Sequence, residues 1–226
     1  MKLSQTNYVR YAFLLVCLIC GCNHPKSNMV NEKQNQSSSK PADQKNSFQV
    51  NNIWVTAKPE LEFNSIDRAA KDTLSIAICG EFVYSPFGII EDSMKIQKSL
   101  LKSFNMINKI DTSNGEKIFV QSLRFKSSKL LLFFDKNPEA EKGSYIIKGE
   151  IYDPEVQFDY GVRIGMSKSD FYKAFFTNFP DVLQKQLDVF CLESCIMGLQ
   201  HIYTFKNNKL SSVRFECVEC SWKVDY

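Results

Sequence analysis

Apolar and polar residues alternate in two stretches of the chain, from Ile76 to Tyr84 and from Tyr145 to Ile151. A period of two places every second side chain on the same face of an extended segment. The pattern predicts one strand in each stretch, with Cys79 on the face opposite the apolar residues.

A helical spacing follows the second predicted strand. Phe171, Phe175 and Phe179 recur four residues apart, which stacks them along one buried side of a helix. Ser167 is a favourable N-cap for this helix. Pro180 is predicted to end it, because proline cannot donate the next helical hydrogen bond.

A second helix is predicted after the first strand. Asp92 or Ser93 would cap it, and it would run to about Phe104. Ile96, Leu100 and Phe104 have the same four-residue spacing as the later phenylalanines, so we expect them to be buried together.

Two β-hairpins complete the pattern. Segments 117–125 and 129–135 flank a Lys-Ser-Ser-Lys turn, and segments 200–206 and 209–217 flank a Lys-Asn-Asn-Lys turn. Asparagine tolerates the positive φ angles that tight hairpin turns require.

The order strand, helix, hairpin therefore occurs twice, over residues of about 74–136 and about 144–220. The offset between matching residues rises from 69 to 80 along the chain, as loop insertions would produce. Chance similarity between short strands is the alternative. With further strands at 52–58 and 187–192, the prediction is an α+β fold of tandem duplicated strand-helix-hairpin modules. One antiparallel sheet of eight or nine strands would carry two helices on one face.

The N-terminal segment has the features of a secretory signal. Lys2 and Arg10 are basic, and the apolar run 11–19 has nine residues, too few to span a bilayer. Ile19-Cys20-Gly21-Cys22, which ends this segment, resembles the lipobox of bacterial lipoproteins. The resemblance implies cleavage after residue 21 and attachment to the lipid bilayer through acylated Cys22. An ordinary cleaved signal with an incidental cysteine is the alternative.

Asn23 follows the lipobox cysteine where lipoproteins of the inner membrane carry aspartate, so the resemblance implies the outer membrane. The segment 22–48 is predicted to be the lipidated cysteine and a disordered tether, because its Asn, Gln, Ser and Lys residues offer little to bury. The α+β domain is predicted to occupy residues 49–226.

The stretch from Gly161 to Asp170, together with the stretch from Tyr203 to Leu210, resembles the small outer-membrane assembly lipoproteins of the BamE type. The order of predicted elements is similar to that of the β-lactamase-inhibitor-protein-like fold. The resemblance implies a module that binds proteins.

Charge argues against a nucleic-acid partner. Cleavage of the signal removes two of the 28 basic residues, Lys2 and Arg10, and none of the 25 acidic residues. The remaining chain is nearly neutral and lacks the basic excess of nucleic-acid-binding domains.

Four cysteines form a C-x3-C pair and a C-x2-C pair with 21 residues between them: Cys191, Cys195, Cys217 and Cys220. An oxidising compartment favours disulfides, and an extended hairpin register favours Cys195 with Cys220 and Cys191 with Cys217. A zinc site built from all four is the alternative. Cys79 is left without an evident partner.

No catalytic motif or cofactor-binding motif is present. His201 lies in a predicted strand, where a packed side chain is expected. A cluster of acids could hold calcium, although solvated groups are expected there: Glu150, Asp153, Glu155 and Asp159. The sequence thus predicts a non-catalytic module that binds another envelope protein. A lipoprotein that binds a small ligand or senses envelope conditions, using a concave sheet face, is the alternative.

Overall fold

The structure, a computed structural model, describes residues 45–113, 116–134 and 144–220. The predicted signal peptide, Cys22 and nearly all of the tether lie outside these residues. Two α-helices are present in the described chain, α1 (Lys168–Phe175) and α2 (Asp181–Gln186). No described helix has the length and apolar character needed to cross a membrane.

The described strands number twelve and follow one another along the chain. They are β1 (Ser47–Val50), β2 (Ile53–Ala57), β3 (Phe63–Ala69), β4 (Thr73–Ile78), β5 (Asn105–Ser113), β6 (Glu116–Phe125), β7 (Ser128–Phe134), β8 (Ser144–Ile151), β9 (Phe176–Asn178), β10 (Val189–Ser194), β11 (Leu199–Lys206) and β12 (Lys209–Cys217).

Nine of these strands form one sheet in the order β3-β4-β10-β11-β12-β8-β7-β6-β5. The α+β class and the number of strands agree with the prediction. The sheet is mixed, however, because β4 and β10 pair in parallel while the other neighbours pair antiparallel. A separate three-stranded sheet joins β1, β2 and β9.

The main core lies between one face of the large sheet and α1. The ring of Phe171 on α1 lies 4.8 Å from the ring of Tyr203 and 5.0 Å from that of Phe205, both on β11. Phe175 and Phe82 pack beside it with centroids 5.1 Å apart. Rings of this size bury a large apolar area, so the aromatic layer stabilises the packing of α1 on this half of the sheet.

The opposite face of the sheet carries ion pairs, one between the neighbouring strands β7 and β8 and one within β12. Lys129 pairs with Glu150 at 3.2 Å, and Arg214 pairs with Glu216 at 2.9 Å. This alternation of apolar and charged faces explains the period-two pattern of the sequence.

The structure does not show two equivalent modules. In the second predicted repeat, β8 pairs with the last strand, β12. An equivalent first repeat would place β4 beside β7, but β4 pairs with β10 and β8 takes the place beside β7. The two predicted hairpins are present as β6–β7 and β11–β12. The similarity between the two predicted repeats is therefore a similarity between their hairpins.

The predicted first strand, 76–84, is too long. It ends at Ile78, and Glu81–Val83 form a 3-10 helix instead. Gly80 explains the break, because a Cβ atom there would lie 2.4 Å from the carbonyl oxygen of Glu60. The chain turns at this close approach.

The predicted helix 92–104 is also shorter. Asp92 caps it as expected, accepting hydrogen bonds from the amides of Met94 and Lys95, but it is a 3-10 helix over Ser93–Lys98 only. Leu100 is consequently 41 % exposed, and the predicted buried triplet is not formed.

Helix α1 has the predicted N-cap, since Ser167 accepts a hydrogen bond from the amide of Asp170. It ends at Phe175, before Pro180, because the next residues form β9 and pair with β2. Phe179 nevertheless packs on the helix, with its ring stacked 3.9 Å from that of Tyr172.

Candidate binding cleft

The parallel pairing of β4 with β10 places the ends of two strands that are distant in sequence next to each other. Strands that run in parallel end on the same side, so Cys79 after β4 and Cys195 after β10 lie next to each other. The amide of Cys195 donates to the carbonyl of Ile78 at 3.0 Å. The two cysteines form a disulfide with their Cα atoms 5.2 Å apart.

The second disulfide joins Cys217 to Cys220. The pairing predicted from the hairpin register, Cys195 with Cys220 and Cys191 with Cys217, is therefore wrong. That register assumed one hairpin extending to Cys195, whereas β11 begins at Leu199 and the chain turns before it.

Cys191 remains a free, buried thiol. Burial raises its pKa to about 11, against a hydrogen bond with Ser75 that lowers it. The thiol is therefore protonated at neutral pH. The four-cysteine zinc arrangement is not formed, and no group of three or more metal-binding side chains occurs within residues 45–113, 116–134 and 144–220.

A cleft of about 690 Å³ lies beside the Cys79–Cys195 disulfide. We call it the Tyr84 cleft, and its lining residues combine acids, hydroxyl groups and apolar side chains: Glu62, Cys79, Glu81, Tyr84, Ser85, Ile89, Ser144, Tyr145, Ile196 and Met197. Its walls come from four parts of the chain, the residue before β3, the segment after β4, the start of β8 and the turn between β10 and β11.

The first wall is held by buried anchors on either side of exposed residues. Phe82, Val83, Phe87 and Ile90 are each at most 3 % exposed. Ile89, between two of them, stands 59 % exposed at the rim of the cleft. Burial of these four residues fixes the backbone of the segment, and the fixed backbone sets the position of Ile89.

A second wall is the turn that joins β10 to β11. The hydroxyl of Ser194 accepts hydrogen bonds from the amides of Met197 at 3.2 Å and Leu199 at 2.9 Å. Ile196 stands at the tip of this turn and is 76 % exposed. A side-chain oxygen that satisfies two backbone donors makes this a defined turn.

Tyr84 connects the cleft to the disulfide. Its hydroxyl lies 3.7 Å from the sulfur of Cys195. Burial raises the pKa of Tyr84, a hydrogen bond with Ser194 lowers it, and Tyr145 and Glu62 add smaller raising contributions. The phenol is therefore neutral at physiological pH and can donate a hydrogen bond.

Glu62 and Glu81 supply the charge of the cleft. The carbonyl of Glu62 accepts the amide of Cys79 at 3.0 Å, which holds Glu62 beside the disulfide. Both carboxylates are exposed, and neither forms an ion pair with another described residue. No described lysine or arginine lines the cleft.

His201 is only 2 % exposed and does not line the cleft. Its Nδ1 lies 3.3 Å from the hydroxyl of Tyr203, and its ring packs edge-on against Phe215 at 4.8 Å. Burial lowers its pKa from 6.5 to about 3, although a hydrogen bond with Val83 opposes the change. It is a neutral core residue, as the sequence indicates.

The acids near the end of β8 do not converge on a site. Glu150 pairs with Lys129, and Glu155 pairs with Lys126. Asp153 is buried and accepts hydrogen bonds from the amide of Ser127 and the hydroxyl of Ser128, so it fastens the β6–β7 turn.

Sequence reasoning did not identify the cleft. Tyr84 and Tyr145 were expected on the core face of strands, and Ile196 had no pattern around it. Cys79 was the one available signal, since a cysteine without a partner marks a segment whose neighbour is distant in sequence.

No protein-family model, curated protein or solved structure matches the chain.

Proposed function

We propose that this protein is a non-catalytic lipoprotein of the bacterial outer membrane that binds another envelope protein through the Tyr84 cleft. The observation that carries the proposal is the exposure of Ile89 and Ile196, which both line the cleft, at 59 % and 76 %. Large aliphatic side chains that flank a concave surface are typical of binding sites.

The proposed location rests on the lipobox-like N-terminal segment and on the disulfides of the folded part. The lipobox-like residues 19–22 supply the anchor, and residues 23–48 supply the tether. Four of the described cysteines form disulfides, which persist in oxidising compartments such as the periplasm and the cell surface.

A non-catalytic role is supported by the state of the groups that could react. His201 is buried and neutral, Cys191 is a buried thiol with a raised pKa, and the clustered acids are tied into ion pairs and a turn. None of these groups lines the Tyr84 cleft.

A small-ligand-binding function is the second candidate. The volume of about 690 Å³ falls within the range of roughly 300–1,000 Å³ that is typical of ligand pockets. Tyr84, Ser85 and Ser144 could orient such a ligand by hydrogen bonds. On the other face of the large sheet, Lys129 pairs with Glu150 and Arg214 pairs with Glu216, so the cleft is the better place for this function as well.

The experiment is a crosslinking pull-down of the full-length lipidated protein from its own membranes, with the double variant Ile89→Asp/Ile196→Asp. We expect the yield of one reproducible envelope partner to fall more than about tenfold, because buried aliphatic anchors dominate interfaces. Ile107→Asp is the matched control, since Ile107 is 54 % exposed on the edge strand β5 and outside the cleft.

Equal loss in the control and the cleft variant would contradict the proposal, as would full retention in both. If no partner is captured, equilibrium binding of small envelope metabolites to the same variants tests the second candidate. All three side chains are exposed, so the unfolding midpoints should stay close to that of the unmodified protein.

A further inference from the structure

We infer that the occupant of the Tyr84 cleft is a segment of the partner protein in which a lysine or arginine stands beside aliphatic residues. This inference rests on the proposed function and adds the chemistry of the partner. It is argued from the charge, the aromatic groups and the apolar rim of the cleft.

The described charged residues that line the cleft are both acidic. Glu62 and Glu81 line it, and neither carboxylate is neutralised by a described cation. A ligand that enters here meets a negative potential, which favours a cation and disfavours an anion.

The tyrosines suit the same ligand. Tyr84 and Tyr145 both line the cleft and are half-buried. The face of an aromatic ring attracts an ammonium or guanidinium group placed within about 6 Å of its centre. Carboxylates and aromatic rings together thus provide the two kinds of group that stabilise a bound cation.

The rim of the cleft selects what lies next to that cation. Ile89 and Ile196 both line the cleft and are exposed, and half-buried Met197 follows Ile196 in the chain. Methionine adapts its shape to different apolar surfaces. The long stem of lysine or arginine buries well against such side chains while its charged end stays near carboxylates.

A peptide segment fits these features better than a small cation. Ile89 and Ile196 are 59 % and 76 % exposed, so a small cation held by the carboxylates would leave most of their apolar surface in water. A segment that crosses the cleft covers both walls and places its basic residue between them. Charge complementarity and the exposed rim therefore point to the same occupant.

The experiment places a photo-crosslinking residue at position 196 or at position 89 of the full-length protein in its own membranes. The partner peptide attached to it is then sequenced. We expect a lysine or arginine adjacent to the crosslinked residue in the partner. In the background of Glu62→Gln/Glu81→Gln, the crosslinking yield should fall about fivefold, the size expected for two exposed charge contacts.

The control is the double variant Glu150→Gln/Glu155→Gln, which removes the same charge from acids outside the cleft. It should leave the yield unchanged. The effect of the cleft variant should shrink at high salt, because salt screens exposed charges.

The outcomes separate the inference from the proposed function. A crosslinked partner segment without a basic residue, or equal yields in the two charge variants, overturns the inference and leaves the interaction module standing. Absence of crosslinks from positions 89 and 196, with or without crosslinks from position 107 on β5, overturns both.

Discussion

At the scale of single residues, His201 shows how burial sets a chemical property. Its imidazole is enclosed by Phe82, Tyr203 and Phe215, and folding lowers its pKa from 6.5 to about 3. The imidazole of His201 stays neutral in the folded state. As the pH falls below about 6.5, this imidazole therefore binds a proton in the unfolded state but not in the folded state. Stability is therefore fully present above that pH and is lost progressively toward pH 3.

We predict that the free energy of unfolding of the full-length protein falls by up to about 1.4 kcal/mol per pH unit below pH 6.5. Urea unfolding at several pH values between about 6.5 and 5 measures this slope, before most carboxylates titrate. His201→Gln should be less stable at neutral pH and should show a flatter slope in this window.

His24→Gln is the matched control, because the chain has only these two histidines. His24 belongs to the predicted tether, so its removal should leave the slope unchanged. A slope that survives His201→Gln would contradict the assignment of this pH dependence to the buried imidazole.

At the scale of elements, Lys168 joins the first turn of α1 to the segment between α2 and β10. Its Nζ donates to the carbonyl of Leu187 at 2.7 Å, lies 3.2 Å from the carboxylate of Asp188 and stands 5.3 Å from the ring centre of Phe205. The backbone carbonyl of Asp188 in turn accepts the amide of Phe205, and the backbone amide of Asp188 donates to the carbonyl of Asp72. One buried cation therefore holds a helix against two strands.

Lys168→Met is predicted to lower the free energy of unfolding by about 2 kcal/mol, since it keeps the volume and leaves a buried carbonyl unpaired. Chemical denaturation measures the loss. Lys173→Met is the control on the same helix, because the side chain of Lys173 is 75 % exposed. It should change stability by no more than about 0.5 kcal/mol. Equal effects would show that burial of the ammonium group does not matter.

Elements defined by local chemistry could be predicted from the sequence. The caps Ser167 and Asp92 are where they were expected, and the β11–β12 turn has the positive φ angles of Asn207 and Asn208. Helix ends were predicted less well. The end of α1 depends on pairing between β9 and β2, which are more than 100 residues apart and carry no mutual signal.

At the scale of the whole molecule, the pairing that creates the cleft is the least predictable feature. Strand β4 meets β10 in parallel, and no turn connects them to fix a register. The same pairing contradicts the predicted duplication, because it places β4 beside β10, the neighbour of the β11–β12 hairpin. The tyrosines and isoleucines of the cleft had no common sequence pattern, since their proximity follows from that contact alone.

The two disulfides differ in what they constrain. Cys79 and Cys195 are 116 positions apart, whereas Cys217 and Cys220 are 3 apart. The chain-entropy model gives a stabilisation of about 5 kcal/mol for a loop of the first size and about 2 kcal/mol for one of the second. We predict that Cys79→Ala/Cys195→Ala lowers the free energy of unfolding about two to three times as much as Cys217→Ala/Cys220→Ala does.

Urea unfolding of the two double variants measures this difference, and peptide mapping under non-reducing conditions checks the pairing on which it depends. Loss of the long-range link should also weaken partner capture, because Cys79 and Cys195 join the two walls that carry Ile89 and Ile196. The short link lines neither wall, so its loss should leave capture unchanged. Equal destabilisation by the two double variants would contradict this prediction, and so would mapped peptides that join Cys195 to Cys220. Either result would mean that a different contact joins the ends of β4 and β10 and that the Cys79–Cys195 disulfide does not hold the cleft.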